Sequence, residues 1–214
     1  MTQTRLALDG PPLLGVRVSG WWQLFARLDA ESQAHARRVA GLSVSFARHL
    51  GLKDQEIRRL WKGSLLHDIG KLAVPPDILL KPGPLTEAEF RIMRMHPTYA
   101  FQIMWPVADL FDSIDVSYCH HEQWDGAGYP QGLRGEDIPR AARILGLVDV
   151  ADALASDRPY RPKRGEDEIR EFIEARAGSH FDPALAREFL RFALPRADET
   201  RLAIEEPPQT YQTR

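Results

Sequence analysis

Residues 54–71 read DQEIRRLWKGSLLHDIGK, and this stretch decides the fold. Ile57, Leu60, Trp61 and Leu65 recur at the spacing of one apolar helix face. Asp54 is suited to cap that helix, which is expected to end near Asp68. At its end stands His67-Asp68, followed by Ile69-Gly70-Lys71. Neighbouring side chains diverge by about 100° on a helix, so one turn presents both groups to metal ions only if the ions lie close to it. Alone, a His-Asp pair at a helix end also fits simple solvation.

Outward from this stretch the chain stays helical. Upstream, Trp21, Phe25, Leu28, Val39, Leu42, Phe46 and Leu50 suit one long helix, which Gly51 stops. Downstream, prolines at 75, 76, 82 and 84 predict a loop over 74–84, and Thr86 with Glu89 forms a capping-box signature. Helices are expected from His96 through Trp105 and from Leu110 to His121, then a glycine-rich loop over 126–135. Pro139, suited to a helix N1 position, opens an apolar helix through Leu154; a polar, basic loop (157–164) and two amphipathic helices, 166–177 and 183–194, complete the pattern. No run alternates as a strand would, and no internal repeat is visible. The expectation is an all-α single domain of about seven helices over 21–195, with an N-terminal arm (1–20) and a C-terminal tail (196–214).

Eight potential metal ligands fall in five places along that pattern: Glu31 and His35, His67-Asp68, His96, His120-His121, and Asp149. Five of the chain's seven histidines are among them. Neutral imidazole with carboxylate suits Zn, Fe, Mn and Ni. One ion with an open position needs about three protein ligands, so eight candidates suit two or three ions sharing groups. Glu31 and His35, four apart, share a helix face, as an exposed Glu–His pair would too. Consecutive histidines between an apolar helix and a glycine loop are rarely structural. Asp149 stands in the apolar run Leu147-Val148-Asp149-Val150-Ala151, where a carboxylate is costly unless paired or bound to a cation.

Composition bounds the rest. The 214 residues, 43% hydrophobic and 27% charged, suffice for one sizeable core. A net charge of −2 provides no field for a nucleic-acid polymer, although local Lys and Arg could hold a small anion. The single cysteine, Cys119, excludes an internal disulfide and fits a reducing cytoplasm. No stretch approaches about 18 apolar residues, and MTQTRLALDGPP does not read as a signal peptide. A soluble, cytoplasmic, bacterial-type protein is expected.

The series His67-Asp68-Ile69-Gly70-Lys71, His96-Pro97, His120-His121-Glu122 and Asp125-Gly126-x-Gly128-Tyr129-Pro130 resembles the HD-GYP domain family. So do Ile138-Pro139, Ala142-Arg143-Ile144, the run Asp149 to Leu154, Arg158-Pro159-Tyr160-Arg161 and Phe181-Asp182-Pro183; the resemblance covers roughly residues 25–193. It implies a helical HD-superfamily fold and hydrolysis of the bacterial second messenger cyclic di-GMP to pGpG, with GMP the product of further turnover. Metal-activated hydroxide attacks phosphorus in that reaction. Carried across by position, the metal ligands are His35, His67, Asp68, His96, His120, His121 and Asp149. A carboxylate at Glu31 accompanies family members with a third metal, which favours three ions, iron or manganese. Asp68 and Lys71 are implied in catalysis, Lys71 steadying phosphate, although alone it could be a solvated lysine.

The resemblance further implies that Arg158 and Arg161 bind a second phosphate through bidentate hydrogen bonds; taken alone they fit a charged loop. Asp152 is either a hydrogen-bond acceptor behind a ligand or a helix-surface carboxylate. Tyr129 can stack on guanine, and the Gly-Tyr-Pro loop is a substrate lid, a partner contact for a protein such as a diguanylate cyclase, or plain loop architecture. Two departures stand out: Ala100 replaces a usual glycine, and only about 20 residues precede the domain where relatives carry sensor modules. The chain is therefore a stand-alone enzyme, one regulated in trans, or part of something longer. Two rivals to the phosphodiesterase reading remain: a catalytically silent cyclic-dinucleotide-binding module and an HD hydrolase of another nucleotide.

Overall fold

In the computed structural model, which describes residues 20–157 and 162–194, the stretch from Trp21 to Leu50 is two helices, not one. Helix α1 (Trp21–Phe25) ends in a turn, and α2 (Ala30–His49) starts afresh on Asp29, whose carboxylate accepts from the Ser32 N–H at 2.9 Å. Leu24, Phe25 and Leu28 stay buried across the break, so apolar periodicity hides it; the cap cuts the backbone. Gly51 (φ +71) does end α2, in a Schellman turn with Leu52 N–H on the Ala47 carbonyl at 3.0 Å.

In α3 (Asp54–Leu66) the N-cap is Lys53, not Asp54; the Glu56 carboxylate accepts from the Lys53 N–H at 3.0 Å. Asp54 contributes its charge to the first turn instead. His67 is the C-cap, and the chain leaves α geometry at Asp68 (φ −94°, ψ 4°) to wind through a 3₁₀ turn over Ile69–Ala73.

The expected loop over 74–84 contains a single-turn helix, α4 (Pro76–Leu79), opened by Pro76 at its first position. Helix α5 (Glu87–Met93) begins on the predicted capping box of Thr86 and Glu89, and α6 (His96–Met104) follows. The helix expected from Leu110 to His121 is a 3₁₀ turn (Ala108–Leu110) and a short α7 (Ile114–Tyr118). Backbone angles at Cys119 (φ −107°, ψ 8°) end α7, so both histidines lie beyond it. Pro139 caps α8 (Arg140–Ala155) from just outside rather than from its first position. Then come α9 (Glu166–Glu174) and α10 (Pro183–Ala193), the latter capped by Asp182. Among the described residues these are ten α-helices, several of one or two turns, where about seven were expected, and no strand forms. The arm, the tail, Arg158 and Arg161 lie outside the described residues, Gly20 excepted.

Helix α2 packs along α3 and α8, α3 also along α7 and α8, and α6 against the 69–73 turn and α7. Val39, Phe46, Leu60, Leu66, Ile69, Ile144 and Val148 meet in one buried cluster. Each such side chain contributes about 1.5–3 kcal/mol on burial, which fixes the helices that carry the ligands. At the crossing of the 69–73 turn and α6, a Cβ on Gly70 would lie 1.9 Å from the His96 carbonyl oxygen and 2.5 Å from the Ala100 nitrogen. Gly70 makes the close approach, and the Ala100 methyl is fully buried beside it. No helix among the described residues is long and apolar enough to cross a membrane.

Candidate metal centre

Three helix ends, one helix start and two helix faces converge on one place. Ligand atoms of His96, His120 and His121 lie within 4.8 Å of one another, as do those of His35, His67 and Asp149, and those of His67, Asp68 and His120. His67 and His120 each belong to two sets, so the three sets form one connected group of seven residues. Glu31 is in none of them; it is exposed in the first turn of α2, one turn before His35.

The tautomers follow from the partners. His67 Nδ1 lies 2.7 Å from the Ser64 carbonyl oxygen, His96 Nδ1 3.0 Å from Met93 O, and His120 Nδ1 2.6 Å from Ser117 O. A carbonyl only accepts, so each Nδ1 carries the proton and each Nε2 presents a lone pair. His96 Nε2 and His120 Nε2 then face each other at 3.5 Å, two acceptors with no proton between them. His67 Nε2, in a side chain 1% exposed, makes no well-formed hydrogen bond and lies 3.4 Å from Asp68 Oδ2 and 3.7 Å from Asp149 Oδ1. Buried acceptors left this way are costly, and a cation between them removes the cost. The donor set of five imidazoles and two carboxylates therefore fits divalent transition metals.

His35 is held differently. Its Nδ1 donates to Asp152 Oδ2 at 2.8 Å, and its Nε2 lies 3.1 Å from Asp149 Oδ1. Burial alone would lower its pKa, but the hydrogen bonds to Asp149 and Asp152, with their charges and that of Asp68, raise it to about 9. A proton thus sits where a cation would bridge imidazole and carboxylate. At the other end, burial and the charge of His96 push His121 down to about 3, so its imidazole stays neutral. Burial likewise holds His120 well below the ordinary imidazole value. Asp68 resists burial because Lys71 and the nearby histidines keep it ionised; Lys71 Nζ lies 2.6 Å from Asp68 Oδ2.

The Gly-Tyr-Pro loop closes over the His96–His121 side. Tyr129 stacks on His121 (ring centroids 4.8 Å, 26°), and the Arg94 guanidinium lies 4.4 Å from the Tyr129 ring centre. The guanine stacking expected of Tyr129 thus meets a ring already engaged by two side chains. Gly128 is required by space: a Cβ there would come within 2.3–2.6 Å of the Glu122 and Gln123 backbone. Buried Glu122 staples the loop, accepting from the Gln131 N–H at 2.7 Å and the Leu133 N–H at 3.0 Å. Cys119 stays outside the three ligand sets, with burial pushing its thiol up to about 12.

Sequence reasoning passed over Glu122, Arg94 and Arg38. Glu122 carried a signal, a carboxylate directly between the histidine pair and the glycine loop. Arg38 carried one too, three residues after His35 on the same helix face. Arg94 carried none, because its contact with Tyr129 depends on the folded loop.

With this geometry the chain belongs to the HD domain family, whose model matches residues 23–185, and Gly128-Tyr129-Pro130 marks its HD-GYP character. A cyclic di-GMP phosphodiesterase of Thermotoga maritima is 39% identical over 168 residues, 76% of this chain and 45% of that protein. A 3′3′-cGAMP-specific phosphodiesterase of Vibrio cholerae is 40% identical over 157 residues, 72% of this chain and 30% of that protein. The chain spans less than half the length of the curated relatives it matches, 45% and 44% for two of them. A solved HDG"Y"P protein from Bdellovibrio bacteriovorus shares the fold, with a TM-score of 0.59 and 21% identity over 73% of this chain and 50% of that one.

Proposed function

We propose that the chain is a metal-dependent phosphodiesterase of 3′,5′-linked cyclic dinucleotides, with cyclic di-GMP the principal substrate and linear pGpG the first product. The observation that carries this is the pair of facing imidazole acceptors, His96 Nε2 and His120 Nε2, 3.5 Å apart. A divalent cation between them satisfies both lone pairs, and relatives 39% and 40% identical to this chain are named as phosphodiesterases of cyclic dinucleotides.

His96, His120 and His121 would hold one ion and His35, His67 and Asp149 another, with Asp68 standing beside His67 and His120, one from each set. Iron or manganese is the proposed occupant, and Glu31 is the ligand through which a third ion would bind. Bound divalent ions lower the pKa of a water and offset phosphate charge. The chain's own residues do the rest. Imidazole protons committed to carbonyls keep the Nε2 atoms aimed inward. Lys71, anchored on Asp68, is placed to steady a non-bridging phosphate oxygen. Tyr129 braces His121 by stacking on its ring. Arg158 and Arg161 are proposed for the second phosphate on the strength of their motif. A cyclic-dinucleotide substrate supports a cytoplasmic location.

The 3′3′-cGAMP-specific relatives support a second substrate, cyclic GMP-AMP, for the same site. Anaerobic incubation with each dinucleotide plus Fe(II) or Mn(II), followed by chromatography, tests both. Linear product is expected from the wild type, with turnover and bound metal lost in His67→Ala and Asp68→Ala. Full activity in Asp68→Ala removes Asp68 from the mechanism. No product despite a full metal complement turns the reading toward a binding module, with the Gly-Tyr-Pro loop as its contact for a diguanylate cyclase.

A further inference from the structure

We propose that Arg38 is a positioning residue of the metal centre, acting through Asp152 on His35; the proposal rests on the metal-dependent reading above. Asp149 and Asp152 are three residues apart on α8 and share a face, so either carboxylate could turn to a cation. Arg38 separates their roles. Its Nε donates to Asp152 Oδ1 at 2.9 Å and its Nη2 to Oδ2 at 3.0 Å, a fork on a carboxylate. The same Nη2 reaches Ser156 Oγ at 3.4 Å, tying the fork to the end of α8.

Asp152 Oδ2 also accepts from His35 Nδ1 at 2.8 Å. Both oxygens of Asp152 are therefore committed, one to the guanidinium and one shared by guanidinium and imidazole. Asp149 Oδ1, 3.1 Å from His35 Nε2, is left as the carboxylate free to meet a cation. Arg38 thus fixes which His35 nitrogen carries the proton, sets the ring's orientation, and withholds Asp152 from the ion. Partners of this kind behind a ligand sustain metal affinity. The Arg38 side chain is 51% exposed and is no part of the buried apolar cluster, so removing it leaves the core intact.

Charge alone predicts the opposite sign, which makes the test decisive. Deleting a cation beside a metal site strengthens metal binding electrostatically; deleting a positioning group weakens it. Mn(II) binding is measured by calorimetry on the metal-free full chain for wild type, Arg38→Ala, Arg38→Lys, Asp152→Asn and the Arg38→Ala/Asp152→Asn double variant. Thermal unfolding of the metal-free proteins checks the fold.

Arg38→Ala should weaken one Mn(II) site about 10-fold, the low end for groups behind a ligand. The site of His96, His120 and His121 and the metal-free unfolding temperature should not move. Arg38→Lys should recover part of the loss, since an ammonium keeps the charge without the fork. In the Asp152→Asn background, Arg38→Ala should add nothing further. Unchanged or tighter binding in Arg38→Ala, or a full further loss in the double variant, overturns the proposal. A wild-type chain that takes up no Mn(II) overturns the metal-dependent reading itself, and the role of Arg38 with it.

Discussion

His67, His96 and His120 each give the Nδ1 proton to the carbonyl three residues back, and each stands at a helix terminus. The acceptors are Ser64 in the last turn of α3, Met93 at the end of α5, and Ser117 near the end of α7. Carbonyls in a last turn lack helical partners, so each imidazole satisfies one while its Nε2 is aimed past the helix end. The residue types of the centre were legible in sequence because histidines are few and one aspartate sat in an apolar run. The tautomers were not legible, since they depend on which carbonyl each ring meets. Nor was Arg38's task, because its partner Asp152 lies 114 residues away. At this scale the number of ions is open to test. Glu31→Ala should reduce bound metal by one ion per chain if a third ion binds there, leaving the seven-residue group loaded. Metal content unchanged by elemental analysis would limit the centre to two ions.

Helices with a sequence-encoded cap or stop announced themselves: Gly51 stopped α2 and the Thr86–Glu89 box opened α5, both as predicted. The short ones did not. A helix of four or five residues, such as α4 or α7, has no stability of its own and forms only because neighbours pack on it. The break at Asp29 was missed for the converse reason, since buried side chains on both sides kept the period running. Close approach between elements carries its own prediction. Because a Cβ at Gly70 would stand 1.9 Å from the His96 carbonyl, Gly70→Ala must displace the first turn of α6. We expect about 1–3 kcal/mol of destabilisation by urea titration, with fewer ions retained per chain because His96 moves. Wild-type metal content and midpoint together would mean that the crossing has slack.

For the molecule as a whole, the centre sets a pH profile. His35, raised to about 9, binds its proton more tightly in the fold than in the unfolded chain, whose value is about 6.5. Its contribution is fully present below pH 6.5 and is lost as pH rises through about 9. His121, lowered to about 3, works the other way, so its contribution is lost as pH falls from 6.5. The metal-free protein should therefore be most stable near pH 6.5, as denaturation midpoints across pH would read. A midpoint still climbing from pH 6.5 to 9 would contradict the pairing of His35 with Asp149 and Asp152. Mn(II) at 100 times its dissociation constant should add about 2.7 kcal/mol, with affinity rising with pH as the ion displaces the His35 proton. One consequence reaches back to synthesis. His35 and Asp152 are 117 residues apart in the chain yet touch. A ribosome that has made residues 30–121 has released the five imidazoles and one carboxylate of the centre, with no Asp149 to close the set of His35 and His67 and no Asp152 to turn His35. The half of the centre built on His35 and His67 therefore stays open until α8 emerges, whereas the set of His96, His120 and His121 is complete in sequence before it.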